Sequence, residues 1–376
     1  MSLSTTMLGL FVPLLGLAFG LSPAGVGLVV STAFLLPLAL AVPAGRLVDA
    51  IGAKRVLIIG YGVFAAATVP VMVFDSLAAL VVANVFATVG HLASVVGSQA
   101  LVADLGTGKG RSSAYGWWTT SVSFGQLLGP LIAGVALDSL PRVAAFVPLF
   151  GFAVVALVLV RSVAPRGRED GHVFEAVLPR QASPLGAIRD PVVAMAILTS
   201  SAALWAMTVF STFFPVHLSA ADVSATTIGA LMSLRALAAV LIRSVMSQTV
   251  DRLGGREPTV VVAVAALGVG LVVLGGSSTV WAYAVVCVVL GAASGLTQPV
   301  SMVMVADRVD ARDRGSVLGV RLMGNRLAQL VSPVALVFLT SAGLSWLFAA
   351  HGALVLGVAA LLAWGIRSLP NGPRSS

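Results

Sequence analysis

The chemistry in this sequence is concentrated in arginines that stand where arginine is costly. The stretch GVRLMGNRLAQL, Gly319 to Leu330, sets Arg321 and Arg326 beside Asn325 and Gln329 within an apolar region, and Arg235 and Arg243 occupy a second apolar run. A planar guanidinium offers paired N–H donors that match a carboxylate or phosphate. Asn84 and His91 add an amide and an imidazole in similar surroundings. Arg235, Arg326, Asn84, His91 and Asn325 are therefore the substrate-binding candidates, with Arg235 and Arg326 as an anion clamp. Bond-making catalysis would want converging His, Asp, Glu or Cys, and no such cluster is expected here. Cys287 is the single cysteine, and His91, His172, His217 and His351 are scattered without metal-ligand spacing. No GxxxxGK[ST] segment is present, so nothing points to ATP hydrolysis. Neither an enzyme nor a metal or other bound cofactor is expected.

The elements that must position these groups are transmembrane helices. Of 376 residues 58% are hydrophobic and only 10% charged, with a mean hydropathy of +1.04. A soluble chain of this length needs more charge to cover its surface. Twelve apolar runs lie near 3–21, 25–45, 54–74, 77–103, 112–136, 143–162, 191–218, 226–247, 258–277, 280–306, 315–340 and 344–367. Each is close to the ~20 residues that a helix needs to cross hydrocarbon. The expected fold is thus all-α and polytopic. The net charge of +8 does not make a nucleic-acid binder, because the basic residues sit in short loops and form no basic face.

Those loops set an orientation. With the hydrophilic segment Arg161 to Asp190 placed inside, inner loops and the tail hold seventeen of the 22 basic residues, and outer loops hold only Arg142. The positive-inside rule then puts both termini in the cytoplasm, with the chain as a multi-pass protein of the cell (inner) membrane. The same segment divides the chain into a six-helix bundle at 1–162, a cytoplasmic linker at 163–189, and a second bundle with a short tail at 190–376. Part of the linker, around Phe174 to Leu178, is expected to be helical. The bundles repeat: RSSAYGW at Arg111 aligns with RGSVLGV at Arg314, and Asp104 with Asp307, Gln126 with Gln329 and Pro130 with Pro333, all at an offset of 203. RLVDAIGAKR at Arg46 aligns with QTVDRLGGRE at Gln248 at an offset of 202. Two six-helix repeats imply a rocking carrier with its site between them. By the same offset the first span lacks about a dozen residues at its cytoplasmic end relative to the seventh, and we expect either a start codon placed too late or a shortened protein. The N-terminus has no basic n-region of a cleaved signal and is taken as the first span.

Depth and helical angle separate the arginines. Arg235 and Arg326 stand about 18 Å from the inner ends of their spans, near the midplane, and Arg243 and Arg321 roughly 6 and 10 Å deep. Arg321 and Arg326 point about 140° apart. The shallow pair is expected to snorkel and brace the helices. A midplane arginine costs about 2.5–3.5 kcal/mol on insertion scales, and it must find a ligand, a partner or carbonyls. No acid lies deep in any span, since Asp75, Asp138 and Asp222 fall at outer ends. His91 is the one well-placed titratable group, with an unperturbed pKa of about 6.5. Trp117, Trp118, Trp205, Phe210, Phe213 and Phe214 could line an apolar chamber.

Two motifs carry a family resemblance. GRLVDAIGAKR, with Gly45, Asp49, Gly52, Lys54 and Arg55, resembles the signature loop of the major facilitator superfamily, with Ala50 and Ala53 at two usually basic positions. Glycine at 45 would permit close helix approach and at 52 a tight turn. Asp49 would meet the positive end of a neighbouring helix, and the basic pair would meet acids or headgroups. The resemblance implies a twelve-helix architecture and a cytoplasmic latch, echoed at Asp251, that stabilises the outward-facing state. Span five, GWWTTSVSFGQLLGPLIAG, resembles the motif of the superfamily's drug/proton exporters through Gly116, Gly125, Gly129, Pro130 and Gly134, as a helix-packing motif. The arginine those exporters carry in span four is missing here. The resemblance also implies that spans eight and eleven flank the cavity. The expectation is therefore a secondary transporter, acting as a monomer in the lipid bilayer on a small-molecule substrate and with no nucleic-acid partner. The reading is proton-coupled efflux of an amphiphilic or anionic compound, such as a drug or natural product. Uptake of an organic anion or sugar-like solute, or a sensor that no longer transports, are the alternatives.

Overall fold

A computed structural model describes residues 1–103, 109–162, 190–309 and 314–368. Twelve principal helices run through these residues: α1 (Ser2–Ala18), α2 (Pro23–Ile51), α3 (Ala53–Val73), α4 (Leu77–Ala103), α5 (Lys109–Ser139), α6 (Phe146–Ser162), α7 (Pro191–Ser219), α8 (Ala225–Ser244), α9 (Arg256–Gly276), α10 (Val280–Arg308), α11 (Arg314–Val331) and α12 (Leu344–Ser368). No strand occurs among the described residues. Nine of these helices are long and apolar enough to cross a membrane, and α1 and α6 are shorter apolar helices. The expected linker, residues 163–189, lies outside the described residues.

Local chemistry starts and stops the helices where the sequence allows. Ser22 accepts from the Gly25 amide at 3.2 Å with Pro23 at the first helical position, and Asp190 accepts from the Val192 amide at 2.8 Å. Ser76 and Thr279 cap α4 and α10 in the same way. A single residue, Gly52 at φ +85°, separates α2 from α3. Its repeat partner Gly254 has the same φ of +85°, so the duplicated turn keeps its backbone as well as its letters.

The eleventh span departs from expectation. A continuous helix to 340 is not formed: α11 stops at Val331, Leu336 adopts φ +57°, and a 3-10 turn covers Val337–Ala342 before Gly343 at φ +114°. Pro333 lacks an N–H and its ring crowds the carbonyl four residues earlier, which favours a break there. Its repeat partner Pro130 is accommodated inside α5.

Contacts group the chain into two compact units. One holds α1–α6 with Ser211–Ser233, and the other holds the remaining parts of α7 and α8 with α9–α12. In the first unit a Cβ on Gly60 would lie 2.8 Å from the Gly90 carbonyl, and α3 and α4 meet there. In the second, Gly268 and Gly352 bring α9 and α12 together in the same way. Small residues matter because lipid is as apolar as a leucine side chain, so close van der Waals packing replaces the hydrophobic drive between helices.

Candidate functional site

Three places hold the residues singled out by the sequence. In the second unit Arg235 is half-buried on α8. Its Nη1 lies 3.7 Å from the Met207 sulfur, and its guanidinium stands over the Phe210 ring at 5.8 Å. Thioether and ring are weak, polarisable partners. Neither is an anion or a carbonyl, and the two ion pairs among the described residues, Arg142–Asp75 and Arg256–Asp307, lie elsewhere. Arg326 on α11 donates to the Gln329 side-chain carbonyl at 3.2 Å. The two arginines share no hydrogen-bond partner, so a clamp would have to be completed by a ligand.

Arg321 corrects the expectation of snorkelling. Only 4% of it is exposed. Its Nη2 donates to the Gln298 backbone carbonyl (3.2 Å), the Gln298 side-chain carbonyl (2.8 Å) and Ser301 Oγ (3.0 Å). Gln298 in turn donates to the Ser200 carbonyl, and the Ser200 hydroxyl donates to Asn325 Oδ1 at 2.6 Å. Asn325 is 5% exposed, so it belongs to this network tying α7, α10 and α11 together. Carbonyl and amide oxygens surrounding the charge replace the water that a snorkelling side chain would reach. The other shallow arginine, Arg243, donates to the Gly295 carbonyl at 3.4 Å. That carbonyl lies four residues before Pro299, which has no amide to offer it.

In the first unit a cavity of about 490 Å³ is bounded by α1, α3, α4 and α5, with Tyr61, His91, Ser94, Ser98, Trp118 and Ser121 in its wall. His91 Nδ1 lies 3.0 Å from Thr5 Oγ1. Asn84 is not brought to the cavity. It is buried, with its amide donating to the Val29 carbonyl at 2.8 Å and to Thr32 Oγ1 at 3.3 Å, and so fastens α2 to α4. Of the aromatic candidates only Trp118 lines the cavity. Trp117 is 73% exposed, whereas Phe210, Phe213 and Phe214 are packed in the core. Tyr61 escaped sequence reasoning because the candidates on α3, Lys54 and Arg55, belong to its first turn and to the signature loop.

The two motifs divide by residue. At the signature loop Gly52 makes the tight turn, and Lys54 donates to the Arg161 carbonyl at the end of α6 at 2.9 Å, which satisfies a helix-terminal acceptor. Arg55 and Asp251 are exposed, and Asp49 is half-buried on the last turn of α2. Gly45 does not serve close packing, because a Cβ there meets no atom within 4 Å. On α5 the same holds for Gly116. Gly125 and Gly129 do admit a neighbour: a Cβ at 125 would lie 2.6 Å from the Leu3 amide, and one at 129 would collide with Thr6 Oγ1, whose hydroxyl donates to the Gly125 carbonyl at 2.8 Å. Gly134 faces the Ala225 carbonyl, and Gly229 faces that of Pro130. One turn further on, the Asp138 carboxylate accepts from the Ala225 and Thr226 amides at 3.1 and 2.7 Å, capping α8.

Duplicated six-helix repeats, an all-helical polytopic fold and the signature turn at Gly52 describe a membrane carrier. The chain belongs to the Major Facilitator Superfamily, which it matches over residues 1–222 and 205–376. Its members are membrane transport proteins and not enzymes. The chain is 31% identical over 149 residues to an uncharacterized MFS-type transporter of Mycobacterium tuberculosis, a match that covers 39% of this chain and 25% of that relative's length. Its fold resembles that of a bacterial homologue of the human lysosomal transporter Spinster, in an inward-facing and occupied conformation, with a TM-score of 0.77 at 15% identity over 98% of this chain and 94% of that one. It also resembles the nucleoside transporter NupG, with a TM-score of 0.78 at 11% identity over 98% of each chain. The D-xylose-proton symporter follows, with a TM-score of 0.72 at 16% identity over 96% and 95%.

Proposed function

We propose that this secondary transporter moves an anionic or amphiphilic organic solute outward across the cell membrane in exchange for protons. The observation that carries the reading is Arg235, a half-buried cation within a membrane span whose partners are a thioether and a phenyl ring. An anionic ligand would supply the charge that neither partner supplies, with Arg326 as the second fork. The α5 glycines support the exporter reading, and His91, in the wall of a cavity, is the candidate for proton coupling. The excess of basic residues in alternate loops supports cytoplasmic termini, and the reading takes the transporter as a monomer.

Purified protein in proteoliposomes would test this with a fluorescent carboxylate and its neutral amide as probes. Wild type should move the carboxylate in preference to the amide, and Arg235→Gln should reduce carboxylate transport about tenfold or more, the scale of a lost charged hydrogen bond. Arg235→Lys should recover only part, because an ammonium lacks the fork. Unchanged carboxylate transport by both Arg235→Gln and Arg326→Gln would sink the anion reading. In everted vesicles, proton-driven accumulation supports export, whereas substrate-driven alkalinisation outside whole cells supports uptake.

A further inference from the structure

The two repeats treat one helix contact differently. Elsewhere they keep their chemistry: at an offset of 203, Trp118 Nε1 donates to Ser98 Oγ between α5 and α4, and Arg321 Nη2 donates to Ser301 Oγ between α11 and α10, both at 3.0 Å. Where α2 meets α4, polar side chains clasp the helices. Thr88 donates to the Ala33 carbonyl at 2.9 Å, and the Asn84 amide donates to the Val29 carbonyl and to Thr32 Oγ1. With an offset of 202 for α2 and α8, and of 203 for α4 and α10, the equivalents of Thr32, Ala33, Asn84 and Thr88 are Leu234, Arg235, Cys287 and Gly291. The backbone agrees with this alignment. A Cβ on Gly291 would collide with the Arg235 carbonyl, which is the carbonyl position that Thr88 meets in the first repeat.

Three of the four exchanges remove side-chain oxygen, and the fourth brings in a cation. Glycine at 291 replaces a hydrogen bond by close approach. Leu234 has no polar side-chain atom, and Cys287, fully buried, has only a weakly polar thiol. That thiol lies within electrostatic reach of the Arg235 guanidinium. An asparagine in its place would bring an oxygen. The clasp of the first repeat uses the Asn84 N–H group and leaves the side-chain carbonyl for a donor. Ala33 has no donor to offer there, but Arg235 has. Arg321 shows what a guanidinium does with such oxygens, since its Nη2 is taken up by Gln298 and Ser301. Arg235 keeps only the Met207 sulfur and the Phe210 ring. An internal oxygen competes with a bound anion for the same N–H groups. We infer that Cys287 and Leu234, standing where the first repeat has Asn84 and Thr32, are specificity-determining residues of the Arg235 site. By withholding oxygen from the guanidinium they leave a carboxylate ligand as its one strong partner. The inference rests on the anion reading of Arg235.

The test uses the full chain in proteoliposomes, with the fluorescent carboxylate and its neutral amide as probes. Cys287→Asn should raise the KM for the carboxylate about fivefold, the scale of one ordinary hydrogen bond, and leave that for the amide unchanged. The double variant Leu234→Thr/Cys287→Asn gives the new amide the hydroxyl partner that Thr32 gives Asn84, and should act in the same direction. Cys287→Ala is the conservative variant: it adds no oxygen and should retain the preference for the carboxylate. Damage to packing alone would impair both probes alike. An unchanged carboxylate-to-amide ratio in both asparagine variants, with Arg235→Gln still impairing carboxylate transport, overturns the inference and leaves the anion reading standing. Loss of the preference in Cys287→Ala as well also overturns it. Carboxylate transport indifferent to both Arg235→Gln and Arg326→Gln overturns the anion reading and the inference with it.

Discussion

At the scale of single residues, what distinguishes the four membrane arginines is the softness of their partners. Arg321 is surrounded by oxygen: two carbonyls of Gln298 and the Ser301 hydroxyl. Arg235 has sulfur and a ring face. Removing the first should therefore loosen the fold, and removing the second should impair the substrate while sparing the fold. Arg321→Ala leaves several buried acceptors without their donor and should cost about 1–3 kcal/mol, read as a lower apparent melting temperature in detergent. Arg235→Ala should leave that temperature nearly unchanged. A reversal of the two results would exchange their roles.

At the scale of elements, the contrast lies between glycines that admit a neighbour and glycines that do not. Gly129 stands where a Cβ would collide with Thr6, and Gly60 where one would press on the Gly90 carbonyl. Gly45 and Gly116 face open space. Gly129→Val and Gly60→Val should accordingly lower the yield of monodisperse protein in size-exclusion chromatography, by forcing α1 from α5 and α3 from α4. Gly45→Ala and Gly116→Ala should match wild type. The α5–α8 contact has its own device: Asp138 accepts two amides from the first turn of α8. Asp138→Ala should cost about 0.5–2 kcal/mol, the usual range for a lost helix cap, and slow hydrogen exchange protection should be lost first in residues 225–228.

At the scale of the whole molecule, each of the twelve apolar runs holds a principal helix, although in the eleventh that helix ends at Val331 and not at 340. Topology can be read chemically because the single cysteine, Cys287, is fully buried and should give little background to a membrane-impermeant maleimide. With basic loops inside, a cysteine introduced at Ser278 should label from outside intact cells, and one at Gly254 only after permeabilisation. The opposite pattern would invert the orientation.

Hydropathy, the repeat offset and two short motifs were enough to give the order of the principal helices among the described residues and the family, because these depend on one-dimensional spacing along the chain. Gly52 was legible for the same reason: a one-residue turn is a local demand on φ. The fate of each polar group was decided only by the tertiary structure. Asn84 and Asn325 have the composition of ligand residues, yet packing turns them toward Val29 and Ser200. Gly45 and Gly129 are the same residue in similar motifs, and only the position of a neighbouring helix separates them. The cavity at Tyr61 and Trp118 depends on four helices meeting. Partners far apart in the chain are set by helix crossing angles and depths, and no short stretch of sequence encodes those.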